Sequence, residues 1–302
     1  MLTSSVVLFK TRAEQLSALI DCVKKSGVMD KIYFVDNSPD ESLRAVCEAV
    51  EKSEYIFNGK NIGYGAAHNI AIKKAVQEGS EYHIVLNPDI KFAPDVLPIL
   101  VEFMDGNTDA VYVLPKVVYP NGELQYLCKL LPTPFDLIFR RFMPKTKLVQ
   151  KMNDRYTLKM SGYDKIMNPP CLSGCFMFMR TSALEKNNIF FDDRYFMYCE
   201  DFDLIRRLHR VGKTLFYPDA TIVHDHAKES YKSKKMLLEH IKSAVKYFNK
   251  FGWFFDKERN EMNKKIIMEV EEMNTIKSAW YMGGGLKYSI SRAVHSIGEA
   301  AA

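Results

Sequence analysis

Residues 83–95 read HIVLNPDIKFAPD. The apolar run Ile84-Val85-Leu86 has the composition of a buried strand, and it stops at Asn87-Pro88-Asp89, with a second proline at Pro94. Proline fixes its own φ, lacks an N–H and pushes the residue before it out of the helical region. The strand therefore ends abruptly, with a carboxylate at its tip. In open α/β sheets, ligands bind outside the carboxyl ends of strands. Asp89 thus has two readings: a turn former, since Asn-Pro is an ordinary turn signal, or a group that holds something.

The chain before this stretch repeats one pattern. TSSVVLF (3–9) reads as a short buried strand, and AEQLSALIDCVKKSG (13–27) has helical spacing at Leu16, Leu19, Ile20 and Val23, with Gly27 as a stop. KIYFVDNS (31–38) gives a second strand ending in Asp36-Asn37-Ser38, SLRAVCEAVEKS (42–53) a second helix, and EYIFNG (54–59) a third strand. GAAHNIAIKKAVQEGS (65–80) is a third helix that leads into the quoted strand. Strand and helix alternating at this pace predict an α/β fold of βαβ units on a mostly parallel sheet.

After Pro98 the pattern predicts a helix to about Met104 and a strand at AVYVLP (110–115). Residues 119–170 are irregular, basic and aromatic, a loop-rich excursion suited to covering a site. SGCFMFMR (173–180) returns as a strand, SALEKNN (182–188) as a short helix, and CEDFDLIRRLHRVG (199–212) as a helix stopped by Gly212. TLFYP (214–218) and TIVHDH (221–226) read as closing strands. From residue 231 the character changes. KKMLLEHIKSAVKYFNKFG (234–252) puts Leu237, Ile241, Ala244, Val245 and Phe248 on one helical face and lysines on the other. That is a core-docking helix, with a membrane-surface helix as the alternative. Beyond Gly283-Gly284-Gly285, residues 286–298 carry another stripe, so the expected organisation is a domain over 1–230 and a helical extension over 231–302.

Composition narrows the function. With 47% hydrophobic and 26% charged residues among 302, long disorder is not expected. No stretch of 18 apolar residues suggests a transmembrane helix, and MLTSSVVLFK lacks a signal peptide's basic and apolar regions, so a cytoplasmic location is expected. Six scattered cysteines form no C-x-x-C pair, which predicts free buried thiols rather than a zinc site or disulfide framework. The net charge of +5 is too small to imply nucleic acid, but it is unevenly spread. Residues 140–165 carry eight Lys/Arg against two acids, and 228–265 carry eleven against five.

Several predicted strands end in polar groups: Asp36, Asp89, and His224 with His226. Glu200-Asp201 instead opens a helix, where acids complement the helix dipole and capping is a sufficient explanation. Singly, each has an ordinary structural role. Together, an Asp and a His converging on a divalent ion would leave positions for two phosphate oxygens, which suits Mg²⁺ or Mn²⁺. A carboxylate off the metal could then act as a base.

The ordered set VVLF, VDNS, N-x-G-x-x-x-A-x-N, LNPD, SGCFMFMR, YFMYCEDFDLIRRL and IVHDH resembles the family 2 glycosyltransferases of the GT-A fold, over about residues 3–230. It is most similar to bacterial rhamnosyltransferase-like and galactofuranosyltransferase-like members. The resemblance implies that Asp36 hydrogen-bonds a nucleotide base whose pocket Val7 and Phe9 line, and that Gly63 and Asn69 shape the nucleotide's wall. Asn87-Pro88-Asp89 stands where the family often has Asp-x-Asp, with Asp89 the metal ligand and Asn87 in the first acid's place beside the nucleotide. Gly174 would let backbone approach the sugar or acceptor. Asp201 matches the catalytic base, with Glu200 and Asp203 in supporting roles, and His224 the metal-binding histidine, preferred over His226 because it directly follows the strand.

The implied reaction is an inverting displacement. A Mn²⁺ or Mg²⁺ ion offsets charge on the departing diphosphate, and Asp201 takes the proton of the attacking hydroxyl. The implied donor is a nucleoside-diphosphate sugar carrying rhamnose or a hexose, and the implied acceptor a lipid-linked saccharide of bacterial surface-polysaccharide synthesis. The basic, aromatic segments then suggest peripheral attachment to the inner membrane face through the C-terminal helices. Two other classes compete. A sugar-phosphate nucleotidyltransferase calls for a glycine-rich basic loop after the first strand, and VVLFKTRAEQ contains no glycine. A non-catalytic nucleotide-sugar or membrane-binding module would have lost the base or the ligand, yet Asp89, Asp201 and His224 are present.

Overall fold

The predicted alternation is realised in the computed structural model, which describes residues 1–140, 143–144, 146–225 and 234–282. Strands β1 (Leu2–Leu8), β2 (Lys31–Asp36), β3 (Ser53–Phe57) and β4 (Tyr82–Leu86) alternate with helices α1 (Ala13–Ser26), α2 (Arg44–Glu48) and α3 (Tyr64–Gln77). Ile84, Val85 and Leu86 are fully buried, as an apolar run on a sheet covered on both faces should be. Helix α1 stops at Gly27, whose φ of 69° is the left-handed conformation glycine adopts without strain. Helix α2 is much shorter than its sequence pattern.

The second half adds β5 (Ile90–Phe92), α4 (Val96–Gly106), β6 (Ala110–Val118), α5 (Lys147–Tyr156), β7 (Phe176–Arg180), α6 (Thr181–Lys186), α7 (Glu200–His209) and β8 (Lys213–His224). The eight strands lie in the order β3-β2-β1-β4-β7-β6-β8-β5. Strand β7 is antiparallel to β4 and β6, and β5 is antiparallel to β8; the other neighbours pair in parallel, so the sheet is mostly parallel.

Three local readings change. The two closing strands are one, because Pro218, Asp219 and Ala220 bulge out where the β6 register jumps from Tyr217 to Thr221. Helix α4 starts at Val96, with Pro98 in its first turn, where a missing N–H costs nothing. The excursion at 119–170 contains the ordered helix α5, capped by the Thr146 side chain, which accepts from the Val149 N–H.

Helices α8 (Lys234–Phe251) and α9 (Lys257–Met282) close the described chain. Ala244, Tyr247 and Phe248 of α8 are buried against Leu137, Tyr195 and Cys199, so this apolar face docks on the core. Ile266 and Val270 of α9 enter the main core. Arg206 of α7, 1% exposed, fastens α7 to this pair of helices. Its guanidinium donates to both Asp256 oxygens at 2.8 and 2.7 Å and to Glu258, and lies 4.2 Å over the Phe251 ring. All six cysteines are free and five are buried. Among the described residues no helix is long and apolar enough to cross a membrane. The stripe at 286–298 and His226 lie outside the described residues.

Candidate active site

Strand β5, too short to announce itself in sequence, brings Asp89 and His224 together. Its antiparallel register sets Ile90 opposite His224, and the Asp225 N–H donates to the Asp89 carbonyl at 3.1 Å. His224, the last residue of β8 rather than the one after it, faces Asp89 Oδ1 with Nε2 at 3.5 Å. That distance is long for a hydrogen bond. Burial alone would lower the imidazole pKa, but Cys175 and the Asp89 carboxylate reverse this and raise it to about 10. Two buried donor atoms facing each other at that spacing fit a divalent ion between them, since metal binding displaces protons from its ligands. The ring's far side is also fixed, with Nδ1 3.1 Å from Gln125 Oε1. Gln125 Nε2 donates to the His224 carbonyl at 2.7 Å, so one buried amide grips both ring and backbone. An ion held by these two side chains would keep positions for ligand oxygens.

The two carboxyls opening α7 sit in different surroundings. Asp201 Oδ2 accepts the Gly174 N–H at 3.1 Å and Oδ1 the Phe202 N–H at 2.9 Å. Burial raises its pKa, and the nearby Lys129 ammonium and these N–H donors offset only part of the rise. Glu200 is buried, and its Oε2 has no hydrogen-bond partner among the described residues. Burial first, and the Asp201 charge second, push its carboxyl well above the usual range. Both carboxyls are thus raised, Glu200 well above the usual range, and Asp201 is the one with a cation beside it to favour its charged form. Asp203 does not join them: it is fully buried and ion-paired with Arg207 and with Lys250. Gly174 lacks a side chain because a Cβ there would stand 3.0 Å from the Asp201 Cβ.

The other expected residues divide. Asp36 ends β2 with no exposed surface; its Oδ1 accepts the Ser38 N–H and its Oδ2 the Tyr55 hydroxyl. Phe9 is 45% exposed beside it, whereas Val7 packs on a cluster containing Tyr33 and Val35. Of Gly63 and Asn69, expected at the nucleotide's wall, the Gly63 carbonyl accepts from Asn37 Nδ2, beside Asp36, at 3.1 Å, and both also meet the segment leading to α7. Gly63 has φ 100°, and a Cβ would come 2.7 Å from the Phe196 carbonyl oxygen. The Asn69 amide exchanges hydrogen bonds with the Phe191 backbone and donates to Asp193 Oδ1. Asn87 Oδ1 accepts from the Tyr64 hydroxyl at 2.9 Å.

Sequence reasoning missed Tyr64, Gln125, Lys129 and Arg206. The Tyr64 hydroxyl, within hydrogen-bond reach of Asn87 Oδ1 and of the Gly174 carbonyl at 2.8 Å, ties the Asp89 turn to the strand before Asp201. Its neighbour in the NIGYGAAHN motif was the only signal.

Residues 4–187 match the family described as Glycosyl transferase family 2. The chain is 31% identical over 252 residues to Rhamnosyltransferase WbbL of Escherichia coli (strain K12), covering 80% of this chain and 90% of that one. It is 24% identical over 210 residues to N-acetylglucosaminyl-diphospho-decaprenol L-rhamnosyltransferase of Mycobacterium tuberculosis, covering 65% of this chain and 66% of that one. Among solved structures, S. aureus TarS superposes with a TM-score of 0.55 at 16% identity, over 88% of this chain. GalNAc-T7, solved with UDP, GalNAc and Mn²⁺, does so with 0.56 at 15% identity, over 74%. This chain spans 42% and 43% of those two structures, and the likeness shows a shared GT-A fold. On sequence and fold together, the chain belongs to glycosyl transferase family 2 and is a glycosyltransferase.

Proposed function

We propose that this glycosyltransferase is metal-dependent and inverting, moving rhamnose or another hexose from a nucleoside-diphosphate sugar to a lipid-linked saccharide in bacterial surface-polysaccharide synthesis. The observation that carries the reading is the pairing of Asp89 with His224 at 3.5 Å, with Asp201 held at the start of α7 by the Gly174 N–H. The names of the two rhamnosyltransferase relatives favour rhamnose, and the second favours a lipid diphosphate acceptor.

In this reading Asp89 and His224 hold a Mn²⁺ or Mg²⁺ ion, which when bound supplies positive charge for the donor diphosphate. Asp201, whose charged form Gly174, Phe202 and Lys129 favour against its burial, accepts the proton of the acceptor hydroxyl as its oxygen forms the new bond to the anomeric carbon. Attack from the face opposite the diphosphate inverts that carbon in one displacement. Burial pushes the Glu200 carboxyl well above the usual range and so favours its neutral form, which adds no second charge to repel the diphosphate. Phe9, 45% exposed, meets the nucleobase, and Asp36, fully buried in this structure, would reach it only when donor binding uncovers its carboxylate; Asn87 and Gly174 line the path between donor and base. Residues 1–230 act as the catalytic unit, and the later helices brace α7 through Arg206.

We place the protein at the inner membrane face, held by exposed apolar side chains among cations. Leu148 (68% exposed) and Met152 stand beside Lys147 and Lys151 on α5, and Phe254 and Phe255 (97% exposed) precede Lys257. The apolar face of α8 takes no part, because it is packed.

The test is incubation with dTDP-rhamnose, UDP-galactofuranose, UDP-galactose or UDP-glucose and Mn²⁺, following free nucleoside diphosphate. Release is expected with one donor, is lost in EDTA, and falls at least about 100-fold in Asp201→Asn, the lower range for acid–base catalysis. Pyrophosphate as the product, or wild-type turnover in Asp201→Asn, would refute the mechanism.

A further inference from the structure

Three consecutive residues, Lys129, Leu130 and Leu131, connect the neighbourhood of Asp201 to a groove that the reaction above does not use. The Lys129 N–H donates to the Cys171 carbonyl at 2.8 Å, and its ammonium lies 5.3 Å over the ring of Phe202, the residue after Asp201. The Leu130 N–H donates to the carbonyl of Tyr156 at the end of α5. Leu131 is gripped from both sides by Asn263 of α9, whose Oδ1 accepts its N–H at 2.7 Å and whose Nδ2 donates to its carbonyl at 2.9 Å. The walls of the groove are therefore tied to one another and to the base's surroundings.

The groove has a volume of about 420 Å³ between the 130–136 segment, α5 and α9. Its apolar lining includes Leu130, Leu131, Phe135, Ile267 and Met268. Arg155 and Lys264 stand at its margin, exposed and without an ion pair among the described residues. Its one acid, Asp136, is engaged by the N–H and hydroxyl of Thr133. Along the chain, the surroundings of the Asp201 carboxylate thus lead to the Lys129 ammonium and then to a cation-flanked apolar trough.

That order of polarity matches one kind of molecule, read from its hydroxyl end: a saccharide, a diphosphate and a long hydrocarbon chain. We infer that this groove binds the first isoprenoid units of a lipid diphosphate acceptor, with Lys129 meeting its diphosphate and the acceptor sugar reaching back to Asp201. The inference rests on the lipid-linked acceptor proposed above and assigns it a seat. An isoprenoid chain has no hydrogen-bonding groups, so burial against Leu131, Ile267 and Met268 is the way it can contribute to binding. The cations suit a dianionic head group but not a neutral lipid.

Calorimetric titration of the full chain with farnesyl diphosphate, inorganic diphosphate and farnesol tests this. Farnesyl diphosphate is expected to bind at least about tenfold more tightly than either part alone. Lys129→Ala and Met268→Asp should each weaken it by about tenfold or more, the loss of one charge-assisted contact or of chain burial. Met268 is 57% exposed, so its substitution leaves the melting temperature unchanged and reports on the groove. Farnesyl diphosphate binding no tighter than diphosphate, or indifferent to Met268→Asp, overturns the proposal. So does a concentration-dependent dimer that Met268→Asp abolishes, which would give the groove to a second copy of this chain. Donor turnover is measured in parallel. Turnover without farnesyl diphosphate binding sinks the groove alone, whereas absence of turnover with every donor sinks the transferase mechanism.

Discussion

Arg206→Met isolates what the C-terminal helices do for α7. The substitution keeps the length of the side chain and its apolar contact with Phe251, but removes the guanidinium. Asp256, whose side chain is 4% exposed, then loses two hydrogen bonds and retains the Arg259 N–H. Stripping one partner from a buried ion pair costs roughly 3–5 kcal/mol, because the remaining charge stays desolvated. Glu258 adds little, being 30% exposed and still paired with Arg210. Divided by a urea slope of about 1–3 kcal/mol per molar, the loss lowers the unfolding midpoint by roughly 1 M or more. The sign with pH follows from Asp256. Burial would raise its pKa, but Arg206 and the Arg259 N–H outweigh this and leave it lowered. The stabilisation is therefore complete above the ordinary Asp value of about 3.9 and is lost as pH falls through the lower folded value. Urea unfolding followed by circular dichroism should show a constant gap between wild type and variant from about pH 5 to 8, closing only in acid. Adding Asp256→Asn should restore about 2 kcal/mol, the coupling expected of contacting groups. A variant within about 1 kcal/mol of wild type at pH 7, or no recovery in the double variant, would refute this account of α7's support.

Other consequences are as direct. Gln125→Leu frees the His224 ring from its grip, so Mn²⁺ affinity in the presence of UDP should fall about 10–100-fold by electron paramagnetic resonance. Gln125→Glu, which still accepts from Nδ1–H, should lose less; unchanged affinity in a folded Gln125→Leu would end Gln125's role. Sedimentation with anionic liposomes should be salt-sensitive and should weaken in Leu148→Ser and in Phe254→Ser with Phe255→Ser, since each nearby Lys or Arg contributes about 1 kcal/mol. Equal binding to neutral liposomes, or none to either, would defeat membrane attachment.

What sequence revealed follows the range of the interactions. Strands β1, β2 and β4 and helices α1 and α3 carry their own periodicity, so local pattern suffices for them. Strand β5 has only three residues, with Lys91 in its middle and prolines on either side, and exists because β8 pairs with it. Helix α9 shows little amphipathic pattern, since few of its positions, Ile266 and Val270 among them, meet the core. The chemistry divides likewise. Asp89, Asp201 and His224 are legible because a strand end or helix start gives an acid or imidazole a place to act. Gln125 grips a residue 99 positions away, and Arg206 one 50 positions away, with side chains that look ordinary until the chain is folded. Asn69 and Gly63 likewise have partners, Phe191 and Phe196, that are distant in sequence.

Among the described residues strand β5 is also the end of the sheet, with β8 its neighbour on one side. A ladder of three residues at an open edge is the kind of structure that frays. Asp89 sits immediately before its first residue and His224 is that residue's partner across the ladder, so an ion between them would act as a clasp at the point where unzipping starts. Occupancy and edge closure would then be one equilibrium seen from two ends. Whatever loosens β5, even a change at Phe92 remote from any ligand, would loosen the grip on the diphosphate by the same free energy. The rim of the sheet would serve as the latch through which a spent nucleotide leaves.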